Sequence, residues 1–398
     1  MPHCNKKMIS FFLTTKCNLC CRYCYNAKER SEVREQTISL EIAKAAIDWY
    51  FENNMSRHIR FYGPGEPTQE FEKMKQITEY AKMHPNGGDR VTVEVQTNGV
   101  FVQEVRDWFL DNVNIAWMSF DGMKDIQNYN RPLNPKYNKI FDFKTSADIL
   151  EENVCWLNSH KGNRNLMVGA RVTVTSVNVN QQIEMVDYFK NLGIFYVWTD
   201  PILYTVEKEP VHQKDSRFKV ANQNMDFYAE RYKDDFQFSM DQYIKRYAEA
   251  YQYAKQKGIF WGSFFGINFD GESCYHCRSC TPMEAPHITP DGYISACDMV
   301  VLGEKPYHMA PFIVGKWDAE HSRFQIDQTK VQILLNRKST NMDHCKSCPA
   351  VLHCGGYCLG ETLNETGSLN GYNPLKCNAV VKLYEMMGSC EPYPYLHP

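Results

Sequence analysis

Thr15-Lys16-Cys17-Asn18-Leu19-Cys20-Cys21-Arg22-Tyr23-Cys24 sets Cys17, Cys21 and Cys24 in a C-x3-C-x2-C array directly behind a short apolar run. Three thiolates on one tight loop can hold three irons of a cubane and leave the fourth iron open to a ligand. A zinc loop normally takes four ligands at paired spacing, and Cys20 abuts Cys21, which is awkward for a tetrahedral site. The preceding run, Met8–Leu13, has the length of a buried strand and no small-residue cleavage site, so it reads as a strand and not as a signal peptide.

Outward from that loop, short apolar runs alternate with amphipathic stretches. Strands are expected at Ile59–Tyr62, Val91–Gln96, Ile115–Phe120, Leu166–Val174 and Phe195–Asp200, after the first at Met8–Leu13. Helices are expected at Ser39–Phe51, Phe71–Met83, Val102–Leu110, Ala147–Asn158 and Gln182–Leu192. Such alternation implies βαβ units and a parallel sheet. Six units predict an α/β fold, a partial (β/α)6 TIM-like barrel with its chemistry at the carboxyl ends of the strands. The expected division is a barrel over 1–210, a helical connector over 211–261 and a small cysteine-rich domain over 262–398. In that last part periodicity fades, and its order is expected to come from metal ligands more than from a core.

Further motifs stand at the strand ends. Tyr62-Gly63-Pro64-Gly65-Glu66-Pro67 closes the second strand, Gln96-Thr97-Asn98-Gly99 the third, and Ser119-Phe120-Asp121-Gly122 the fourth. With the Cys17–Cys24 array, they make residues 8–205 resemble the radical S-adenosylmethionine (SAM) superfamily. The resemblance implies a 4Fe–4S cluster on Cys17, Cys21 and Cys24, with Tyr23 as the aromatic against the adenine. It gives Gly63, Gly65, Glu66 and Pro67 to a GGEP-type loop that binds the SAM amino group, although Pro64 departs from the commonest form. Its glycines leave room for a close backbone approach to the ligand. Ser119 and Asp121 fall in the region of the SAM ribose. Arg171 is either a partner of the SAM carboxylate or part of a structural salt bridge.

The later cysteines run Cys274, Cys277, Cys280, Cys297, Cys345, Cys348, Cys354, Cys358 and Cys377, with Cys345-x2-Cys348-x5-Cys354-x3-Cys358 at their centre. This pattern resembles the seven-cysteine SPASM domain, which implies two auxiliary 4Fe–4S clusters and three clusters in all. Carried over by position, Cys274, Cys280, Cys297 and Cys358 go to the first, and Cys345, Cys348, Cys354 and Cys377 to the second. Cys277 competes with Cys274 or Cys280. A pair of zinc ribbons fits poorly, because no paired CxxC rhythm runs through these cysteines.

Composition narrows the rest. The chain has 398 residues, 16 cysteines and a formal net charge of -3, with no basic stripe of the kind nucleic-acid binding demands. Clustered cysteines without an export signal point to metal ligation in a cytoplasmic protein. No apolar stretch reaches the roughly 18 to 20 residues of a membrane span. The resemblance implies reductive cleavage of SAM, a flavodoxin- or ferredoxin-type electron donor, and oxidation of a peptide or protein side chain. Maturation of a ribosomally made peptide by a thioether or carbon–carbon crosslink is the leading expectation, and no leader-binding domain is expected ahead of the barrel. Formylglycine formation, as in anaerobic sulfatase-maturating enzymes, and small-molecule dehydrogenation are the alternatives. Asp298, directly after Cys297, is the candidate catalytic base of the former, or else an aspartate that caps a cluster loop.

Overall fold

Strands β1 (Ile9–Phe12), β2 (His58–Tyr62), β3 (Thr92–Thr97), β4 (Ile115–Ser119), β5 (Met167–Val174), β6 (Tyr196–Pro201) and β7 (Phe260–Gly262) pair in parallel, each with the next. The structure is a computed structural model that describes residues 7–24, 26, 34–202, 236, 238–265, 282–354 and 356–387. Helices cross between the strands, and the one expected at Phe71–Met83 runs over those very residues. Local chemistry sets their starts: Ser39 caps Leu40–Asn53 by accepting from the Ile42 N–H, and Thr145 with Asp148 forms a capping box on Ser146–His160. Of the expected helical connector, Met240–Lys257 is described, and it ends on Gly258 in the left-handed region.

Side-chain parity separates the two faces of the sheet. Ile9, Phe11, Ile59, Phe61, Val93, Val95, Met118 and Ala170 belong to the main apolar core with helix residues such as Ile47, Met74 and Phe109. The opposite parity carries Ser10, Arg60, Glu94, Trp117, Arg171 and Trp198. Parallel strands buried on both faces read as continuous apolar runs, whereas these alternate, so the inner face of the curved sheet is polar. Its groups satisfy one another. Arg60 Nε donates to Ser10 Oγ at 2.9 Å, and His58 shares hydrogen bonds with Thr92 at 2.7 Å and Glu94 at 3.1 Å.

Beyond β7, part of the later segment joins the sheet and core of the barrel. Strand β8 (His287–Ile288) pairs in parallel with β1, and β9 (Tyr293–Ser295), β10 (Ile313–Asp318) and β11 (Arg323–Ile326) extend the same sheet antiparallel. Ile288, Ile294, Phe312 and Val314 are fully buried in the core that the barrel uses. Strands β8, β9 and β11, of two to four residues, are too short to display a period, and the six-residue β10 stands alone among them. The helix Pro374–Met387 runs alongside Met240–Lys257, and Lys382 of the former pairs with Asp241 of the latter at 2.7 Å.

Candidate active site and cysteine centres

The cysteine loop leaves β1 and is tied to distant parts of the chain at nearly every residue. The Cys20 N–H donates to Pro132 O at 2.9 Å, the Arg22 N–H to Asn130 O at 2.9 Å, and the Asn134 N–H to Asn18 O at 2.9 Å. The buried Asn18 side chain donates to Val100 O at 2.7 Å and accepts from Asn98 Nδ2 at 2.7 Å, which pins the loop to the end of β3. Asn98 Nδ2 also lies 4.0 Å from Cys17 Sγ. Burial pushes the Cys21 thiol up, Arg131 opposes the shift, and Cys24 and Cys17 add to it, so the three thiols share one electrostatic neighbourhood.

Behind the loop lies a buried polar hub. Tyr23 donates its phenol to Asp121 Oδ2 at 2.5 Å, Asn130 donates to the same oxygen at 3.1 Å, and Arg131 reaches both oxygens at 3.1 and 3.2 Å. The Thr173 N–H donates to Asp121 Oδ1 at 3.0 Å. Asp121 is wholly inaccessible, both its oxygens are taken by protein donors, and it fixes Tyr23 from below. Burial raises the Tyr23 phenol well above its ordinary value, and Asp121 adds to the shift against Arg131. The Arg131 guanidinium lies 5.1 Å from the Tyr23 ring centroid, and Phe236 meets that ring edge-on at 6.1 Å. Neither Arg131 nor Asn18 carries a local signal, because each acts through a partner far away in sequence.

The glycine-rich loop after β2 closes onto the cysteine loop. A Cβ at Gly65 would stand 2.3 Å from Lys16 O and 2.5 Å from Thr14 O, so the room expected for a ligand here is used by the protein itself. Gly63, at φ +141°, lies under the Phe12 ring in the same way. Glu66 is buried and accepts from Thr97 Oγ1 at 2.6 Å, the Asn98 N–H at 2.7 Å, and the Thr68 N–H and hydroxyl at 3.1 and 2.8 Å. Burial raises its carboxyl, and these donors oppose the rise. Buried Pro67 begins the short turn that follows.

Across the lumen, Ser119 pairs in register with Arg171. The Arg171 guanidinium lies 5.2 Å from the Trp198 ring centroid and 5.9 Å from that of Trp117, and no carboxylate of the described residues is within ion-pair reach of it. Gly169 makes the room for Trp117, since a Cβ there would sit 2.5 Å from the indole. Asp200, at the end of β6, accepts from the Phe264 N–H at 2.6 Å and from the Trp198 indole at 2.5 Å. Burial pushes its carboxyl up, and Arg171 opposes this. On the other side, Tyr62 donates to Asp298 Oδ2 at 3.0 Å, bringing the candidate base to the mouth of β2. Tyr62 belongs to the motif that ends β2, but nothing in the sequence links it to a residue 236 positions later.

The later cysteines fall into two neighbourhoods. Cys345, Cys348, Cys354 and Cys377 influence one another's charge. Burial pushes Cys345 up to about 11 and Cys377 up to about 12, with the other three thiols adding to Cys377. Cys297 is buried beside the helix that follows Cys358, for a Cβ at Gly360 would lie 2.9 Å from its Sγ. Cys274, Cys277 and Cys280 lie outside the described residues. Among the described residues no three His, Cys, Asp or Glu side chains are gathered as around a single metal ion. A cubane makes a different demand, since each thiolate then binds its own iron.

A family model described as the radical SAM superfamily matches residues 11–209. The radical SAM cyclopropyl synthase TigE of Paramaledivibacter caminithermalis is 22% identical, over 98% of this chain and 73% of its own length. The serine-type anaerobic sulfatase-maturating enzyme of Klebsiella aerogenes is 24% identical, over 88% of this chain and 79% of its own. Native anSMEcpe, solved with bound AdoMet and Cp18Cys peptide, superposes with a TM-score of 0.67 at 17% identity, over 95% of this chain and 96% of that one.

Proposed function

The chain belongs to the radical SAM superfamily, and from that premise we propose that it cleaves SAM reductively and oxidises a side chain of a peptide or protein. Maturation of a ribosomally made peptide by a thioether or carbon–carbon crosslink is the reading put forward. The observation that carries it is the closure of the Glu66 loop onto the Cys17–Cys24 loop, where the Glu66 N–H donates to Lys16 O at 2.7 Å and Asn98 Nδ2 donates to Asn18 Oδ1 at 2.7 Å. When bound, a reduced 4Fe–4S cluster supplies one electron, and SAM supplies the 5′-deoxyadenosyl group that takes a hydrogen atom from the substrate.

The residues present fit those groups. Cys17, Cys21 and Cys24 stand together on one loop, and three thiolates would leave one iron free for SAM. Asp121 and Arg131 hold Tyr23 against the loop, so its ring is fixed before any ligand arrives. Arg171, in no ion pair among the described residues, offers a cation to a carboxylate, with the Trp198 and Trp117 rings beside it. Cys345, Cys348, Cys354 and Cys377 are assigned to one auxiliary cluster, and Cys297 and Cys358, with Cys274 and Cys280, to the other. The peptide substrate class is supported by anSMEcpe, which was solved with a bound peptide.

Formylglycine formation is kept as a second reading because Tyr62 orients Asp298, as a general base requires. The test is anaerobic incubation with dithionite, SAM and short peptides encoded beside the gene. Wild type is expected to release 5′-deoxyadenosine, and the Cys17→Ala, Cys21→Ala, Cys24→Ala triple variant none, with about four of about twelve irons lost. The expected product is lighter by two hydrogens and inert to a carbonyl reagent. On the second reading, Asp298→Asn loses about a hundred- to ten-thousand-fold in turnover while still cleaving SAM. A carbonyl-reactive product that persists with every substrate Cys replaced by Ser would decide for formylglycine.

A further inference from the structure

Directly after the 129–134 stretch that holds the cysteine loop, residues 135–144 form a protruding knuckle. It carries Lys136, Lys139, Lys144 and Asp142, a local charge of +2 on a chain whose formal net charge is -3. Phe143 is 75% exposed and Ile140 59%, two large apolar side chains turned to solvent on one short turn. Phe143 and Asp142 both hold left-handed backbone, at φ 60° and 50°. That conformation is an outlier for a bulky residue. It persists because the Phe143 N–H donates to Asn138 O at 2.9 Å and the Lys144 N–H to Phe141 O at 3.0 Å. Phe141, between the two exposed side chains, packs inward on the small cluster of Leu19, Val100 and Ile149, against which Cys17 and Cys21 also rest. Two of the lysines are partly neutralised, Lys136 by Glu35 at 3.8 Å and Lys144 by Glu152 at 2.7 Å, whereas Lys139 is in no ion pair among the described residues.

We propose that this knuckle is the docking surface for a small acidic electron-carrier protein of the flavodoxin or ferredoxin type, a proposal that rests on the function put forward above. The surface has the parts of a transient interface: an exposed aromatic anchor, an aliphatic neighbour, and the exposed Lys139 with a local charge of +2 to steer an acidic partner. Its inner side is the apolar wall of the Cys17 and Cys21 loop, so Phe141 and the Leu19, Val100 and Ile149 cluster lie between a carrier seated here and those thiols. For each SAM cleaved the reduced carrier gives up one electron and is itself oxidised by one.

The test titrates a purified acidic flavodoxin onto the holoprotein and measures Kd at low and high salt, beside SAM cleavage driven by that flavodoxin or by dithionite. Phe143→Asn keeps a residue that tolerates left-handed backbone, so the knuckle stays folded while the ring is lost. Phe143→Asn and Lys139→Glu are each expected to weaken Kd about tenfold. The Lys139→Glu deficit should shrink as ionic strength rises towards about 1 M, and Lys139→Arg should restore affinity. Flavodoxin-driven cleavage falls in step, and dithionite-driven cleavage is unchanged. Wild-type affinity in both variants overturns the docking surface, and so does an equal loss with dithionite, which would mark the knuckle as support for the cysteine loop. If wild type with dithionite releases no 5′-deoxyadenosine, the functional premise falls and the proposal with it.

Discussion

The Cys17–Cys24 loop and the Cys345–Cys358 segment carry the same kind of side chain and are held in opposite ways. In the first, backbone partners lie far off: Cys20 bonds to Pro132, Arg22 to Asn130, and the Glu66 N–H to Lys16 O. In the second they are neighbours. Cys345 bonds to Met342, Cys348 to Cys345, Cys354 to Ala350, and the Tyr357 N–H to Cys354 O. Its main distant polar tie is Arg337, which donates to the carbonyls of Gly356, Tyr357 and Leu369. A loop fixed by long-range bonds keeps its shape when empty, because releasing it means disrupting the barrel. A string of local turns lacks that protection and gains most from a shared ligand.

Removing Asp121 should break the first arrangement most severely. Asp121→Ala leaves the buried Arg131 guanidinium without its anion, which costs about 3–5 kcal/mol. It also frees Tyr23, so SAM cleavage should be lost together with stability in urea unfolding. A variant that unfolds at the wild-type midpoint and still makes 5′-deoxyadenosine would show that the loop does not depend on this hub.

The seam between the two regions is open to a pH test. His287 sits in β8 against Phe12, with ring centroids 5.3 Å apart. Burial pushes it down to about 3, and Arg60 adds to the shift. A histidine depressed in the fold and ordinary when unfolded leaves the unfolded chain binding more protons between those two values. Its contribution is therefore whole above pH 6.5 and drains away as pH falls towards about 3. Compared with wild type, His287→Phe should flatten that part of the stability curve by up to about 5 kcal/mol. Parallel acid limbs in the two proteins would sink the assignment.

The smallest effect is local and compares the two cysteine regions directly. Stripping iron with a chelator should speed amide exchange at Cys345, Cys348 and Cys354 by on the order of a hundredfold, while the Cys20 and Arg22 amides stay protected. Strands β8 to β10 should also hold, since their ladders belong to the barrel sheet. Equal deprotection of both cysteine regions would erase the distinction between them.

Much of the barrel was legible, because β1 to β6 and their helices are long enough to show a period and end on Gly, Asn or Ser signals. Strands β7 to β11 were not, being mostly two to four residues long and held by pairing with distant strands of the barrel sheet. The glycines after β2 were legible as close approaches, yet the neighbour they admit is the backbone of Thr14 and Lys16.

The sequence by itself determined the thiol set on one loop and the polar alternation of the strands, since both are written within a few consecutive residues. Only the tertiary structure decided that Asn18 meets Asn98, that Tyr23 rests on Asp121 and Arg131, and that Tyr62 meets Asp298. Each of those pairs joins side chains dozens to hundreds of residues apart, and a hydrogen bond formed only when the sheet closes leaves no trace in local composition.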